Sequence, residues 1–378
     1  MAIYEIKPEL IPGAKIKVIG VWGAWCKTIN RMITEKLDGV EFIAINTDAQ
    51  DLANSLAPKK LNIWLNLTKW LGAGADPEIG RKAADESAED IKLLLKDTEM
   101  VFITCGMGGW TWTGAAPVIG EMAMQMGILT VAVVTEPFNF EGKRRAINAN
   151  EGIMKLKNAV DTLIIIPNDR IFNIIDKKTT FKQAFSMIDR ILFLWVQGIS
   201  DLIIKPGDIN IDFADIRWIL RSSGTALLWI GYGAGEKRAI EAARKAIENP
   251  LLPRDLHGAK NIIFAVTWGV DLTPIEVQEA ANVIEDILDD DVKMIWWMTF
   301  DENYEDEIKV TIIATWFDDI SEVMFNMWYS KKTKSTTASG ESFISRGVRS
   351  IREEVSMPVA EEEEEDFAIP TFMRKKLG

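Results

Sequence analysis

The segment spanning residues 100–117 constrains the fold of this chain more than any other. Residues 100–105 are mostly apolar and predict a buried β-strand. Clustered glycines follow, and an alanine-rich stretch of helical character comes after them. Strand, small-residue loop and helix in this order are typical of a phosphate-binding α/β unit. The loop lets the backbone approach the ligand closely, and the helix directs free N–H groups towards it.

Two tryptophans conflict with this interpretation. Trp110 and Trp112 stand inside the predicted loop, although a glycine-rich loop works because it lacks side chains. The chain contains 14 Trp but only 4 Tyr, so tryptophan is unusually frequent overall. The tryptophans therefore conflict with the local structure that the surrounding sequence predicts, which indicates a strained or altered sequence.

Length and composition exclude several classes of protein. A chain of 378 residues with 48% apolar content can form one large core or two ordinary domains. Its 43 basic and 56 acidic residues give a net charge of −13, which argues against a nucleic-acid partner. We find no apolar run of about 18 residues and no secretory signal, and we expect no direct membrane insertion. Two cysteines and one histidine predict neither a disulfide framework nor a metal cluster.

The first strand and helix are predicted at residues 15–21 and 28–37. The turn between them misses both G-x-G-x-x-G and the Walker pattern, which makes a nicotinamide-dependent oxidoreductase improbable. Lys27 in this turn could reach a phosphate or be a solvated surface lysine. A second strand, residues 41–46, runs into Thr47 and Asp48. Polar residues at a strand's carboxyl end suit ligand binding, and a helix N-cap is the equal alternative.

Further strands are predicted at residues 129–135 and 162–167. The basic residues 143–145 after the first of them could contact a ligand or simply begin a solvated helix. A long helix is predicted from about residue 180 to 203, and most of its apolar stripe must be core. Asp189 lies four residues after Phe185 and therefore shares a helix face with it.

Two carboxylates follow this helix at the start of another. Asp212 and Asp215 are three residues apart and would lie on one face, while Arg217 stands at neither helical pairing distance. Helix capping alone would explain Asp212, and a second unpaired carboxylate fits metal or water binding better. Strands at 262–267, 292–299 and 308–315 alternate with helices at 236–248 and 273–288. This pattern predicts a second α/β domain with mixed pairing. A polar, acidic tail then predicts a disordered tether that ends in a short binding motif.

Several of these segments resemble the FtsZ family, the tubulin-like GTPases of bacterial cell division. Residues 106–114 resemble its signature loop G-G-G-T-G-[ST]-G, with Trp at the third and fourth glycines. Residues 46–50 match N-T-D-x-Q, and residues 210–215 match N-x-D-F-A-D. The resemblance runs nearly end to end. It places many tryptophans at glycine positions of the family: Trp22, Trp25, Trp70, Trp110, Trp112, Trp195, Trp229, Trp268, Trp297 and Trp316. We expect strained phosphate loops at residues 22, 25, 110 and 112, and strained strand ends and tight turns at residues 229, 268, 297 and 316.

The resemblance implies an α/β fold, with a Rossmann-like GTP-binding domain joined by a long central helix to a second α/β domain with a mixed sheet. The implied segments are an N-terminal extension (1–14), the GTP-binding domain (15–178), the central helix (179–206), a C-terminal activation domain (207–317), an acidic linker (318–365) and a docking peptide (366–378).

The family pattern also implies roles for individual residues. Catalysis would involve Asn210, Asp212 and Asp215, which enter the nucleotide pocket of the next subunit and orient the attacking water. Asn168 and Asp189 would read guanine, Phe185 would stack on it, and Glu141 and Arg145 would contact the ribose and a phosphate. The remaining implied GTP contacts are Gly20, Gly23, Ala24, Lys27, Arg31, Asp48, Ala73, Gly74, Gly106, Gly108, Gly109, Trp110, Thr111 and Gly114.

The implied function is GTP hydrolysis, with Mg²⁺, in a head-to-tail homopolymer of the division ring. The implied location is cytoplasmic, at mid-cell, where division proteins would tether the C-terminal peptide to the membrane. The rival interpretation is a non-catalytic chain of the same fold, whose tryptophans impair nucleotide binding.

Overall fold

A computed structural model describes most of the first 315 residues: 14–21, 26–63, 76–176, 178–205, 207, 212–249, 256, 258–289, 291–302, 304 and 306–315. The side chains of Cys26, Lys27, Trp110 and Thr111 lie outside this description. The chain divides into two units, Met1–Asp318 and Asp319–Gly378, and every described residue belongs to the first. The predicted linker and docking peptide therefore lie almost wholly in the second unit, outside the described residues.

The first part of the chain alternates strands and helices. In order, the elements are β1 (Ile16–Val21), α1 (Cys26–Thr34), β2 (Val40–Asn46), α2 (Ala49–Asn54), β3 (Lys59–Asn62), α3 (Pro77–Glu86), α4 (Ala88–Leu95), β4 (Met100–Gly106), α5 (Trp110–Gln125), β5 (Leu129–Glu136), α6 (Lys143–Lys157) and β6 (Thr162–Pro167). Two short 3-10 turns, Asn139–Glu141 and Asn168–Asn173, precede α6 and follow β6.

The first sheet has seven parallel strands in the order β3-β2-β1-β4-β5-β6-β7, where β7 is Gly224–Thr225. Its central strands are buried along their whole length, which explains their nearly continuous apolar sequences. The strand order reverses at β1, which pairs with β2 on one side and β4 on the other. Such a reversal opens a crevice at the carboxyl ends of these strands. The predicted Rossmann-like fold is confirmed.

The predicted long helix is α7 (Phe181–Ile204), with 24 residues. It begins at a capping box in which Thr180 and Gln183 exchange side-chain and backbone hydrogen bonds. Its apolar stripe packs into the core, as the periodicity predicted. In the described part of the chain, no helix is both long enough and apolar enough to cross a membrane.

The remaining elements form the second domain. After α8 (Phe213–Leu220) and β7 come β8 (Leu227–Ala234), α9 (Arg238–Ile247), β9 (Asn261–Trp268), α10 (Pro274–Glu285), β10 (Lys293–Phe300) and β11 (Glu307–Thr315). The sheet order is β10-β9-β11-β8; β10 and β9 are parallel, and the other two pairs are antiparallel. The predicted mixed sheet is confirmed, although the sequence analysis missed β8.

The tryptophans of the second domain do not all lie at the strand ends and turns that we expected. Trp229 lies inside β8 and Trp297 inside β10, and both are almost fully buried. Trp195 lies within α7, whereas Trp268 does end a strand. No tryptophan among the described residues has a positive φ, so the expected backbone strain is wrong for them. Their cost is chemical, because the indole N–H groups of Trp229 and Trp297 are buried with no acceptor in the described part.

A buried arginine connects two helices of the second domain. Arg238, the first residue of α9, donates from Nε to Glu276 Oε1 at 2.8 Å and from Nη1 to Asp271 Oδ2 at 2.6 Å. Glu276 also forms a capping box with Thr273 at the start of α10. The hydrogen bond from Arg238 lowers the pKa of the Glu276 carboxyl, because it stabilises the ionised form.

We expect Arg238→Met to lower the free energy of unfolding by roughly 3 kcal/mol near neutral pH, because removing one partner of a buried ion pair leaves the others uncompensated. The pKa of Glu276 is lower in the folded state than in the unfolded state. Its stabilising contribution is therefore present above about pH 4 and is lost as the pH falls through the folded-state pKa. Urea unfolding of parent and variant over a pH series measures both effects.

Lys245→Met is the matched control for this experiment. It removes an ion pair with Glu241 from the same helix, but both side chains are mostly exposed. The control should change stability by less than about 0.5 kcal/mol. If Arg238→Met were as mild as the control, the buried cluster would not have the role assigned to it.

Candidate functional site

Predicted site residues follow four strands at one edge of the parallel sheet. Because β2, β4, β5 and β6 run in the same direction, the segments that follow them meet at the carboxyl edge. Asp48 follows β2, Gly108 and Gly109 follow β4, Glu141 follows β5 and Asn168 follows β6. The sheet thus gathers residues that the sequence analysis assigned to phosphate, ribose and base.

The turn after β4 requires small residues. Gly106 ends the strand, and Gly108 has a φ of +90°, where a Cβ would lie 2.5 Å from the carbonyl oxygen of Arg145. The Gly108 N–H donates to Thr113 Oγ1 at 3.1 Å. Gly109 is the N-cap of α5, and no side chain caps this helix. The first turn of α5 therefore offers backbone N–H groups to an anion.

Two other predicted site glycines have a packing role. A Cβ at Gly114, inside α5, would lie 1.8 Å from the Pro77 carbonyl oxygen at the start of α3. A Cβ at Gly20, inside β1, would lie 2.2 Å from Cδ1 of Ile29. Both glycines let neighbouring elements approach closely, which explains them without a ligand. Nucleotide contacts at these two positions stay predictions.

Trp110 and Trp112 do not stand in a loop, as the sequence suggested, but in the first turn of α5. Neither has a positive φ, so the expected backbone strain is wrong here as well. The Trp112 ring lies 2.0 Å from where a Cβ of Gly109 would be, and its Nε1 is buried with no acceptor among the described residues. An indole thus packs against the N-cap residue of α5.

The predicted base-reading residues lie on two elements. Asn168 begins the 3-10 turn after β6, and its Oδ1 is buried with no partner in the described part. Asp189 in α7 is almost fully buried and accepts a hydrogen bond from Thr28 Oγ1 of α1. Phe185 lies one helical turn before Asp189 and is partly exposed. An orphaned amide oxygen and a carboxylate are chemically suited to the donors and acceptors of a purine edge.

A cluster of five phenylalanines joins these elements, and the sequence analysis missed it. Buried Phe138, after β5, contacts Phe185 at 5.4 Å, Phe172 at 5.5 Å and Phe140 at 4.8 Å between ring centroids. Phe140 in turn contacts Phe181 at 5.7 Å. The cluster connects α7 to the turn that contains Asn168. Its members come from three separate segments, so no local sequence signal could have revealed it.

Glu141 and Arg145, predicted to contact ribose and phosphate, are paired with each other. Arg145 Nη1 lies 3.1 Å from Glu141 Oε2, and Glu141 Oε1 accepts from the Phe138 N–H at 2.8 Å. Arg145 Nε is buried with no acceptor in the described part of the chain. The arginine therefore retains a donor for a ligand.

Two other predicted contacts have partners within the protein. Asp48 caps α2 by accepting from the Gln50 N–H at 2.8 Å, so the capping alternative is observed. Arg31 donates to Glu35 Oε1 at 2.9 Å and to the carbonyl oxygen of Ser186 at 2.7 Å. A nucleotide contact at Asp48 or Arg31 stays a prediction.

The two predicted catalytic carboxylates begin α8. Asp212 is its N-cap and accepts from the Ala214 N–H at 3.2 Å, again as the capping alternative foresaw. Asp215 lies in the first turn, and both carboxylates are exposed. Within the described residues, neither carboxylate forms an ion pair. Both are therefore accessible to another molecule.

Contacts of α8 place it at the amino edge of the parallel sheet. Arg217 donates to the carbonyl oxygen of Gly127, which lies just before β5, at 2.7 Å. Thr162, the first residue of β6, donates to the carbonyl oxygen of Leu220. Both contacts lie where the strands begin, opposite the edge that holds Gly109 and Asn168.

Several predicted positions lie outside the described residues: Gly23, Ala24, Ala73, Gly74 and Asn210. Lys27 and Thr111 lie in the first turns of α1 and α5, with side chains outside the description. Within the described ranges, no group of three His, Cys, Asp or Glu side chains could hold a metal ion.

Comparison with known proteins identifies both domains. The Tubulin/FtsZ family GTPase domain matches residues 15–176, and the FtsZ family C-terminal domain matches residues 224–318. CetZ2 from Haloferax volcanii, solved as a GTPγS-bound protofilament, has 18% identity and a TM-score of 0.68, and the match covers 85% of this chain and 100% of that one. At that identity the likeness shows the fold alone.

FtsZ from M. jannaschii is much more similar. Its empty dimer has 45% identity and a TM-score of 0.74, and the match covers 80% of this chain and 88% of that one. A point mutant of the same FtsZ has 45% identity and a TM-score of 0.75, with 80% and 91% covered. With both domains matched and this identity over most of its length, the chain belongs to the FtsZ family of tubulin-like GTPases.

Proposed function

We propose that this chain assembles head to tail into filaments and hydrolyses GTP at the junction between two subunits. The observation that carries the proposal is the position of the exposed carboxylates Asp212 and Asp215. They begin α8, which contacts the amino edge of the parallel sheet, whereas the nucleotide-binding elements follow its carboxyl edge. β5 has eight residues, so these edges are roughly 25 Å apart.

That separation makes one chain insufficient for catalysis. Carboxylates on the far edge cannot orient water at their own chain's phosphates, but they can do so for a neighbour stacked in the same direction. Such a contact is heterologous, and it generates an open row of subunits when it does not close. The M. jannaschii relative was solved as a dimer, which supports self-association in this family.

The proposed division of labour follows from the side chains. Backbone N–H groups at Gly109 and the start of α5 stabilise phosphate charge, and Arg145 Nε adds a donor. Asp215 of the neighbouring chain, with Asp212 and Asn210, orients the attacking water. Mg²⁺ would neutralise phosphate charge on the bound nucleotide.

We expect the nucleotide site to prefer guanine over adenine, because Asn168 and Asp189 present an acceptor amide and a carboxylate. Asp189→Ala should weaken GTP binding by roughly 1–3 kcal/mol, since it leaves guanine N–H groups without an acceptor. ATP binding should change little, which makes ATP the internal control. Titration calorimetry with both nucleotides measures the preference, and equal affinity of the parent for GTP and ATP would rule out this assignment.

We expect Asp215→Ala to lower GTP turnover by at least about a hundredfold and to leave GTP affinity nearly unchanged. Asp215 is a cleaner probe than Asp212, since loss of the N-cap at Asp212 would also destabilise α8 by about 1 kcal/mol. Specific activity of the parent should rise with protein concentration, because each site forms between two molecules.

A mixing experiment separates a shared site from a site within one chain. Asp215→Ala retains a nucleotide pocket, and Asp189→Ala retains the carboxylates. At a GTP concentration too low to saturate Asp189→Ala, each variant alone should be nearly inactive, whereas a mixture should recover activity at junctions where Asp189→Ala supplies Asp215 to the other variant. Activity no greater than the sum of the separate variants would contradict catalysis between subunits.

The cellular role is also proposed from family membership. The chain would act in the cytoplasm at the mid-cell division site, where residues 366–378 would dock on membrane-tethering division proteins. Residues 318–365 would act as the acidic linker between the filament and this peptide. These segments lie outside the described residues, so the proposal rests on their composition and on family resemblance.

A non-catalytic filament subunit is the second candidate, and one observation favours it. The Trp112 ring lies against Gly109 at the start of α5, where the phosphates would bind. An indole there obstructs an anion by its bulk rather than through backbone strain.

We therefore expect the double change Trp110→Gly and Trp112→Gly to raise GTP affinity by on the order of tenfold, because the backbone N–H groups of α5 become accessible. Trp218→Gly is the control, since this indole is exposed on α8, away from the carboxyl edge. Titration calorimetry compares the three proteins. Tight GTP binding by the parent, unchanged in the double variant, would show that the indoles clear the pocket.

A further inference from the structure

We propose that Thr28 is a positioning residue for base recognition. Its buried hydroxyl holds the Asp189 carboxylate in the orientation that accepts the neighbouring N–H groups of guanine. This inference rests on the proposed function, in which Asp189 reads the base. It adds a residue of α1 that the family pattern in the sequence did not single out.

The contact between Thr28 and Asp189 joins two distant parts of the chain. Thr28 is 1% exposed and Asp189 is 7% exposed, and the Thr28 hydroxyl donates to Asp189 Oδ1 across 161 residues of sequence. A threonine inside a helix ordinarily donates to the carbonyl four residues earlier. Thr34, in the same helix, does so with Asn30 at 2.7 Å. Thr28 lies too near the start of α1 for such a bond within the helix, and its hydroxyl serves α7 instead.

Two further contacts fix α1 against α7. Arg31 donates to the carbonyl oxygen and the hydroxyl of Ser186 at 2.7 and 2.6 Å. Oε1 of Glu35 lies 3.9 Å from Nη1 of Arg190. Thr28 and Arg31 are three residues apart in α1, and Glu35 directly follows the helix, so this side of α1 contacts α7 at three points. The relative position of Thr28 and Asp189 is therefore set by the packing of two helices rather than by a single mobile side chain.

The chemistry of the pair suits guanine recognition. The terminal torsion of an aspartate is broad, so an unsupported carboxylate adopts a range of orientations. A hydroxyl donor on Oδ1 restricts that range of orientations. Guanine presents a ring N–H beside an exocyclic amino group, and hypoxanthine lacks the amino group. Correct orientation of the carboxylate therefore matters more for GTP than for inosine triphosphate.

The test compares GTP and inosine triphosphate binding in matched variants. Thr28→Val keeps the side-chain shape but removes the hydroxyl, and it should weaken GTP binding on the order of tenfold and inosine triphosphate binding less. Thr28→Ser restores the hydroxyl and should restore the preference for GTP. Thr34→Val removes the other hydroxyl from α1 and should behave like the parent. All variants are made both in the parent and in the Trp110→Gly, Trp112→Gly double variant, which is expected to bind GTP more tightly. Thermal unfolding of each protein checks that it is folded.

The outcomes distinguish this inference from the proposed function. A narrowed ratio of GTP to inosine triphosphate affinity in Thr28→Val, with recovery in Thr28→Ser, supports the positioning role. An equal loss of affinity for both nucleotides, or no loss of affinity, overturns the positioning role of Thr28. The proposed guanine site would not be affected by that outcome. If Thr28→Val fails to fold, the ratio of GTP affinity to inosine triphosphate affinity is compared between Thr28→Ala and Thr28→Ser instead. If the parent prefers neither GTP nor inosine triphosphate to ATP in either background, the proposed guanine site itself fails, and this inference fails with it.

Discussion

The common direction of the seven strands in the first sheet is the constraint on which the remaining arrangement depends. Parallel pairing requires a crossover after each strand, so the loops that follow the strands all collect at one edge. That edge receives the glycine turn after β4, the Glu141–Arg145 pair after β5 and Asn168 after β6. The same rule sends α8, which precedes β7, to the opposite edge, where Arg217 donates to the carbonyl oxygen of Gly127. The proposed site shared between chains would thus be a consequence of strand direction.

Helix α7 links this edge to the second domain. At 24 residues it spans roughly 36 Å, and its first half carries Phe185 and Asp189. Near its end, Asp201 lies 3.3 Å from Lys205 and 3.9 Å from Lys309, and Lys309 belongs to β11 of the second sheet. The helix therefore carries two of the proposed base-binding residues in its first half and contacts the second sheet near its end. A shift of α7 along its axis would therefore move Phe185 and Asp189 and would also change the contact with the second sheet.

Much of this arrangement could be predicted from sequence, and the failures have physical causes. Continuous apolar runs revealed the buried strands, and the spacing of Phe185 and Asp189 revealed their shared helix face. The loop at Trp110 was wrong because an indole is as compatible with a first helical turn as with a loop, and propensity alone does not exclude it. The phenylalanine cluster and the Thr28–Asp189 bond depend on tertiary packing between remote segments, which no local pattern encodes.

Because the carboxylates and the proposed nucleotide-binding elements lie at opposite edges of the sheet, the number of catalytic junctions in a row of subunits differs from the number of chains. In any finite row of stacked subunits, one terminal subunit has a nucleotide edge that no neighbour faces, and the other has carboxylates that face nothing. A row therefore always contains one catalytic junction fewer than it has chains. Two chains would hydrolyse at half the rate per subunit of a very long row, and a nucleotide at the uncovered end would outlast those in the interior. The fraction of hydrolysed nucleotide would then differ between the uncovered terminus and the rest of the row, and it would change with the time since assembly.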